Sequence, residues 1–115
     1  FINIFDNTLN SINSDKIDKN CLDLVNFLSK LENDKFKSYL SLLKYILIFL
    51  WKLKIDDYYN KNNYLLNKFI VLNNLSKKIT KQNIIDSFDY ISNNESDLFT
   101  YNLDKKLFML KFFTN

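Results

Sequence analysis

The chain has 115 residues, of which 47% are hydrophobic and 17% aromatic, and its net charge is +3. This length and apolar content are typical of one globular domain and exclude an intrinsically disordered chain. The sequence contains no His, Gly, Pro, Arg or Ala. It therefore lacks the imidazole of Ser–His–Asp and Cys–His sites and the glycines of phosphate-binding loops.

The rest of the composition indicates the type of genome and limits the kinds of site that the chain can form. Asn, Lys, Leu, Ile and Phe dominate, which indicates an AT-rich genome. Cys21 is the single cysteine, so one chain forms neither a disulfide nor a structural zinc site, and a cytoplasmic location is expected. Cys21 falls in an apolar helical pattern and is interpreted as a core residue. All positive charges are Lys, and carboxylates are interspersed among them. The sequence therefore has no concentrated basic region of the kind that binds nucleic acid.

Apolar residues recur at intervals of three and four along the whole chain, which predicts an all-α fold of about six helices. The first two helices are expected at 1–13 and 15–31, the second capped by Ser14 or Asp15. The third, at 34–54 with Asn33 or Asp34 as its cap, is apolar nearly all round at 45–51. Seven residues are far short of the roughly 20 that span a membrane, so we predict a central buried helix. Its expected inward residues are Phe36, Leu40, Leu43, Ile46, Leu47, Leu50 and Leu53.

Residues 55–63 break the helical pattern and are predicted to form a loop. Its adjacent carboxylates, Asp56 and Asp57, have no third acidic residue at ligand spacing and are interpreted as solvated charges. Aromatic and Lys side chains also interleave in this region, at Tyr58, Tyr59, Lys61, Tyr64 and Lys68. Such a mixture can stack bases and follow phosphates, although half-buried loop tyrosines are the simpler interpretation.

The last three helices are expected at 64–76, 81–99 and 103–113. Thr80 is the predicted cap of the fifth helix and Asn102 that of the sixth. The sixth helix is expected to turn Leu103, Leu107, Leu110 and Phe113 inward. Because the chain has no Gly, an Asn must supply the left-handed residue that often ends a helix. The expected positions for that role are Asn33, Asn60, Asn74 and Asn94.

Three further features are candidates for binding. The pair Lys77 and Lys78 suits the end of the fourth helix, where it offsets the helix dipole. Lys105 and Lys106 lie early in the sixth helix, where the dipole does not favour them, so they are candidates for a partner contact. Trp51 is either part of the core or, if exposed, an anchor for a partner. No arrangement of side chains has the spacing of a catalytic, cofactor or metal site.

Four segments together resemble a known family. They are FKSYLSLLKYILIFLWKL (36–53), LLNKFIVLNNLSKKI (65–79), NIIDSFDYISNNESDLF (83–99) and YNLDKKLFMLKFF (101–113). Their order and lengths resemble the C-terminal helical domain of bacterial DNA polymerase III clamp-loader subunits, especially the delta-prime type. In that family a long apolar helix, a loop, a short helix and a long helix lead to an Asn-containing turn and a last helix.

The resemblance implies a compact helical bundle of the clamp-loader collar type. Residues 1–115 would form a single helical oligomerisation domain, the C-terminal part of a longer chain, without catalytic activity or cofactor of its own. Its partners would be the other clamp-loader subunits in a hetero-oligomeric ring, with DNA contacted only indirectly and no membrane involved. Asn102, Lys105 and Lys106 would lie where a neighbouring subunit binds. The alternatives are an unrelated helical protein-binding or nucleic-acid-binding module and a helical part of an enzyme.

Overall fold

The computed structural model describes residues 4–13, 17–55 and 66–114, with the side chains in these ranges except those of 13 and 66–71. Every regular element in this part of the chain is a helix, as the periodicity predicts. The helices are α1 (Ile4–Asn13), α2 (Lys19–Ser29), α3 (Asn33–Ile55), α4 (Leu66–Lys78), α5 (Lys81–Thr100) and α6 (Lys105–Thr114). The predicted all-α fold is therefore confirmed.

Helix α3 contributes eight buried residues to the core. It packs against α4 and α5, while α1 contacts α2 and α4, and α6 contacts α2 and α5. All seven side chains predicted to face inward from α3 are buried, and Cys21 lies in the same core. The predicted buried face of α3 is thus confirmed, whereas Tyr45 and Ile48, within its most apolar run, are exposed. Within the described residues, none of the helices is both long and apolar enough to cross a membrane.

A buried hydrogen bond joins α1 to α3. The Thr8 hydroxyl donates its one proton to the carbonyl oxygen of Ile4, 2.6 Å away. The Tyr39 hydroxyl, 2.8 Å from Thr8 Oγ1, is then the donor to Thr8. Burial raises the pKa of the Tyr39 phenol above its ordinary value, because the charged form would have to lose its hydration. The pair keeps both hydroxyls satisfied inside the bundle.

The observed helix starts confirm one predicted cap and correct three. Helix α3 begins at Asn33, so its predicted caps, Asn33 and Asp34, lie inside its first turn. The Thr80 side chain accepts from the amide of Asn83 at 3.0 Å and caps α5, as expected. Helix α2 starts later than predicted: Asp18 accepts from the amide of Cys21, and the expected caps Ser14 and Asp15 lie outside the described residues. Helix α6 is capped by Asp104, which accepts from the amide of Leu107 at 3.1 Å. Asn102 is therefore not its cap.

Helix α6 turns only part of the predicted face inward, since Leu110 and Phe113 are half-buried and pack against the core. Its buried residues are Phe108, Met109 and Phe112, whereas Leu103 and Leu107 are 51% and 58% exposed. The prediction is wrong for Leu103 because that residue precedes α6, and for Leu107 because residues 107–113 are apolar on nearly every side. The hydrophobic periodicity then does not indicate which face of α6 is buried. The contacts with α2 and α5 determine that face.

Candidate functional site

Asn102 has a structural task in the turn between α5 and α6. Its φ is +50°, and no other residue described in the structure has a positive φ. The amide of Leu103 donates to the carbonyl of Leu98 at 2.9 Å, which is the long hydrogen bond of a Schellman-type helix end. Asn tolerates this left-handed conformation better than most residues that carry a Cβ. A chain without Gly thus places Asn where Gly is usual.

The described asparagines that were predicted to end helices in the left-handed conformation do not adopt it. Asn33 begins α3, and Asn74 and Asn94 lie inside α4 and α5. Asn60 lies outside the described residues. The prediction chose the right residue type and the wrong positions, because the true ends of the helices depend on packing as well as on local sequence.

Lys105 makes contacts inside the domain. Its Nζ donates to the carbonyl oxygen of Leu31, just beyond the end of α2, at 2.7 Å. The same Nζ lies 5.6 Å from the centre of the Phe36 ring. A cation here satisfies a carbonyl at the negative end of the α2 dipole and interacts with the face of an aromatic ring. We call Leu31, Phe36 and Lys105 the Lys105 corner; it joins α6 to α2 and α3.

Lys106 is exposed, and exposed apolar residues lie close to it in the sequence. Tyr101, Leu103 and Leu107 are all exposed. Leu103 and Leu107 also line an open groove between α5 and α6, of about 280 Å³. We call Tyr101, Asn102, Leu103, Lys106 and Leu107 the α5–α6 surface. It contains two of the three predicted interface residues, and its apolar members were missed because their spacing is that of core residues.

A second apolar groove lies between α3 and α5. Its volume is about 200 Å³. Trp51, for which sequence left two interpretations open, is half-buried on its wall and also packs against the core. The Lys44 ammonium and the Glu95 carboxylate, 2.7 Å apart, join the same two helices. The α3–α5 groove is lined by Leu47, Ile48, Trp51, Ile84, Ile85, Phe88 and Asp89.

The other sequence candidates offer no reactive site. Burial raises the pKa of the Cys21 thiol, which suits a core residue rather than a nucleophile. Lys77 and Lys78 lie in the last turn of α4, the position expected for offsetting its dipole. Asp56, Asp57 and the tyrosines and lysine at 58–64 lie outside the described residues, as does the side chain of Lys68. Where side chains are described, no three His, Cys, Asp or Glu residues form a group that could hold a metal ion.

Comparison with known proteins identifies no relative. No protein-family model matches the chain, and neither a curated protein nor a solved structure shows significant similarity to it.

Proposed function

We propose that this chain is a non-catalytic assembly domain of a clamp-loader subunit of the delta-prime type, which helps to form the subunit ring that loads the sliding clamp during DNA replication. The order of its elements supports the proposal. A long central helix, α3, is followed by the shorter α4, the long α5 and the short α6. Asn102 lies in the turn before the last helix, at the place of the Asn-containing turn in the resemblance.

The α5–α6 surface is the proposed contact with a neighbouring subunit. Leu103 and Leu107 are more than half exposed beside an open groove. Exposed apolar side chains close to charged ones are typical of protein–protein contacts. Lys106 adds a charge at this surface, whereas Lys105 is occupied by its contacts with Leu31 and Phe36. This exposed apolar cluster is the observation that carries a protein-binding function.

Charge favours a protein partner over a nucleic acid. The net charge is only +3, and α5, one of the two helices at this surface, carries Asp86, Asp89, Glu95 and Asp97 against a single Lys81. A nucleic-acid surface needs concentrated positive charge along the phosphate path. The described lysines are instead spread over several helices.

The test is to mix the chain with the ATPase clamp-loader subunits of the same organism and to follow the mass by light scattering. The proposal predicts a stable complex. Leu107→Ser is expected to weaken it at least tenfold, because a contact of more than about 1.4 kcal/mol would be lost. Leu22→Ser, which changes an exposed leucine on α2, is the matched control and should have no effect.

Charge and turn geometry provide a second pair of variants. Lys106→Glu should weaken the complex, while Lys19→Glu, the same change at an exposed lysine of α2, should not. Asn102→Gly removes the amide side chain and keeps the left-handed turn accessible, so it separates contact from folding. Two results together would replace the proposal with a nucleic-acid-binding function. They are the absence of a complex with the ATPase subunits and an affinity for single-stranded DNA or RNA that falls steeply with salt.

A further inference from the structure

We propose that a second copy of this chain covers the α3–α5 groove, so that the domain forms a two-fold dimer in which α3 of each copy lies over α5 of the other. The inference depends on the groove and its flanking charges and is independent of the proposed function. It concerns a different surface from the one between α5 and α6.

The centre of the surface is apolar and exposed. Ile48 and Ile85, on the two walls of the groove, are 43% and 39% exposed, and Ile55, two turns beyond Ile48 on the same side of α3, is 54% exposed. Trp51 and Phe88 lie between them, half-buried. An aromatic pair surrounded by exposed isoleucines has the composition of an interface centre.

The two helices that form the groove carry opposite charges. After Ser38, α3 contains Lys44, Lys52 and Lys54 and no acidic residue. Helix α5 has a single lysine at its start and four carboxylates after it. Asp89 lines the groove itself, and Lys52 is exposed one turn beyond Ile48. Lys44 and Glu95 pair within the chain, so the charges that remain beside the apolar centre are the basic Lys52 on α3 and the acidic Asp86 and Asp89 on α5.

Such a surface is complementary to itself. A two-fold axis along the groove exchanges its sides and places the basic helix of one copy over the acidic helix of the other. The Lys44–Glu95 contact and the groove residues show that α3 and α5 run antiparallel. Lys52 lies eight residues after Lys44, and Ser87 lies eight residues before Glu95. Lys52 of one copy then comes to the level of Asp86 and Asp89 of the second copy.

This self-complementarity is the reason for choosing a second copy over an unrelated partner. An apolar groove alone would accept many helices. A foreign helix would need acidic residues on one side and basic residues on the other, in this order, and the chain's own surface already has that arrangement. The apolar side chains would supply most of the affinity, and the charges would set the orientation.

The test is sedimentation equilibrium of the isolated chain over a wide concentration range. We expect a concentration-dependent monomer–dimer equilibrium that Ile85→Ser abolishes, with the helical circular dichroism unchanged. Lys52→Glu and Asp89→Lys should each raise the dimer Kd about tenfold, because each places like charges together at two symmetric contacts. The double variant restores opposite charges and should recover the wild-type Kd. Lys19→Glu, at an exposed lysine in the first turn of α2, is the control and should leave it unchanged.

A monomer at all concentrations up to about 1 mM, or a charge-swapped double variant that does not recover, would overturn the inference. These outcomes are distinct from failure of the proposed function. A monomer that still binds the ATPase subunits overturns only the dimer, whereas a dimer that ignores those subunits overturns only the clamp-loader proposal.

Discussion

The Lys105 corner and the α3–α5 groove use their side chains in opposite ways. In the corner, the ammonium of Lys105 is directed to the carbonyl of Leu31 and lies near the Phe36 ring. In the groove, the large apolar side chains of Ile48 and Ile85 remain exposed to solvent. The charged residue thus contributes to the fold, whereas the apolar residues of the groove remain exposed.

This contrast matters for locating an interface in a chain of this composition. Lys105 and Lys106 are adjacent in sequence, yet only Lys105 has a contact within the domain that positions α6. Leu47 and Ile48 are adjacent as well, and the first is buried while the second is exposed. Residue type therefore does not indicate which side chains are exposed here, because exposure depends on the direction of each side chain.

The largest difference expected within α3 is between its buried and exposed faces. Leu43→Ala should lower the free energy of unfolding by about 3 kcal/mol, because it removes a fully buried side chain and leaves a cavity. Ile48→Ala should lower it by less than about 1 kcal/mol, since Ile48 is already partly hydrated. Urea denaturation of the two variants measures both values, and equal losses would show that the Ile48 side of α3 is covered in the isolated domain.

The Lys105 corner gives the next largest effect. Lys105→Met keeps the aliphatic stem and removes the ammonium, so the hydrogen bond to Leu31 and the contact with Phe36 are lost. We expect a loss of about 1.5 kcal/mol in the free energy of unfolding. Lys106→Met is the matched control and should change it by less than about 0.5 kcal/mol. Similar values for the two variants would contradict the structural role of Lys105.

Two substitutions at Asn102, in the turn before α6, should show whether its backbone conformation or its side-chain contacts contribute to stability. Asn102→Ala is expected to destabilise the domain by about 1 kcal/mol, because Ala is disfavoured at positive φ. Asn102→Gly should be neutral or slightly stabilising, since Gly adopts this conformation readily. Thermal unfolding of the pair measures the difference. Equal destabilisation by Ala and Gly would assign the importance of Asn102 to its side-chain amide instead.

At alkaline pH the buried Tyr39 should lower the free energy of unfolding, whereas the exposed Tyr45 should not. Burial holds the pKa of Tyr39 above that of an unfolded tyrosine. As the pH rises past about 10, the phenol ionises first in the unfolded chain, which binds fewer protons and is thereby favoured. This contribution to stability is complete below that pH, and we expect a loss of up to about 1 kcal/mol by pH 10.5.

The check is the free energy of unfolding at pH 8 and pH 10.5 for two variants. Tyr39→Phe should lose less stability between these values than the wild type. Tyr45→Phe, at an exposed tyrosine of α3, should follow the wild type. A Tyr39→Phe variant with the wild-type pH dependence would contradict the assignment.

Sequence periodicity was sufficient for the fold and insufficient for the surfaces. Seven of the eight buried residues of α3 were predicted from their helical spacing, and the buried Tyr39 was missed. In α6 six of the seven residues at 107–113 are apolar, so Leu107 and Phe108 could not be told apart by pattern. The role of Lys105 also escaped prediction, because its partner Leu31 lies 74 residues away in the chain. Contacts across such a separation follow from the packing of whole helices.

The most direct test of the assembly function is the light-scattering mass of the chain mixed with the ATPase clamp-loader subunits of its own organism. The account predicts a stable complex that Leu107→Ser weakens at least tenfold and Leu22→Ser leaves unchanged. The absence of any complex, with the domain folded and the ATPase subunits competent to assemble, would contradict it.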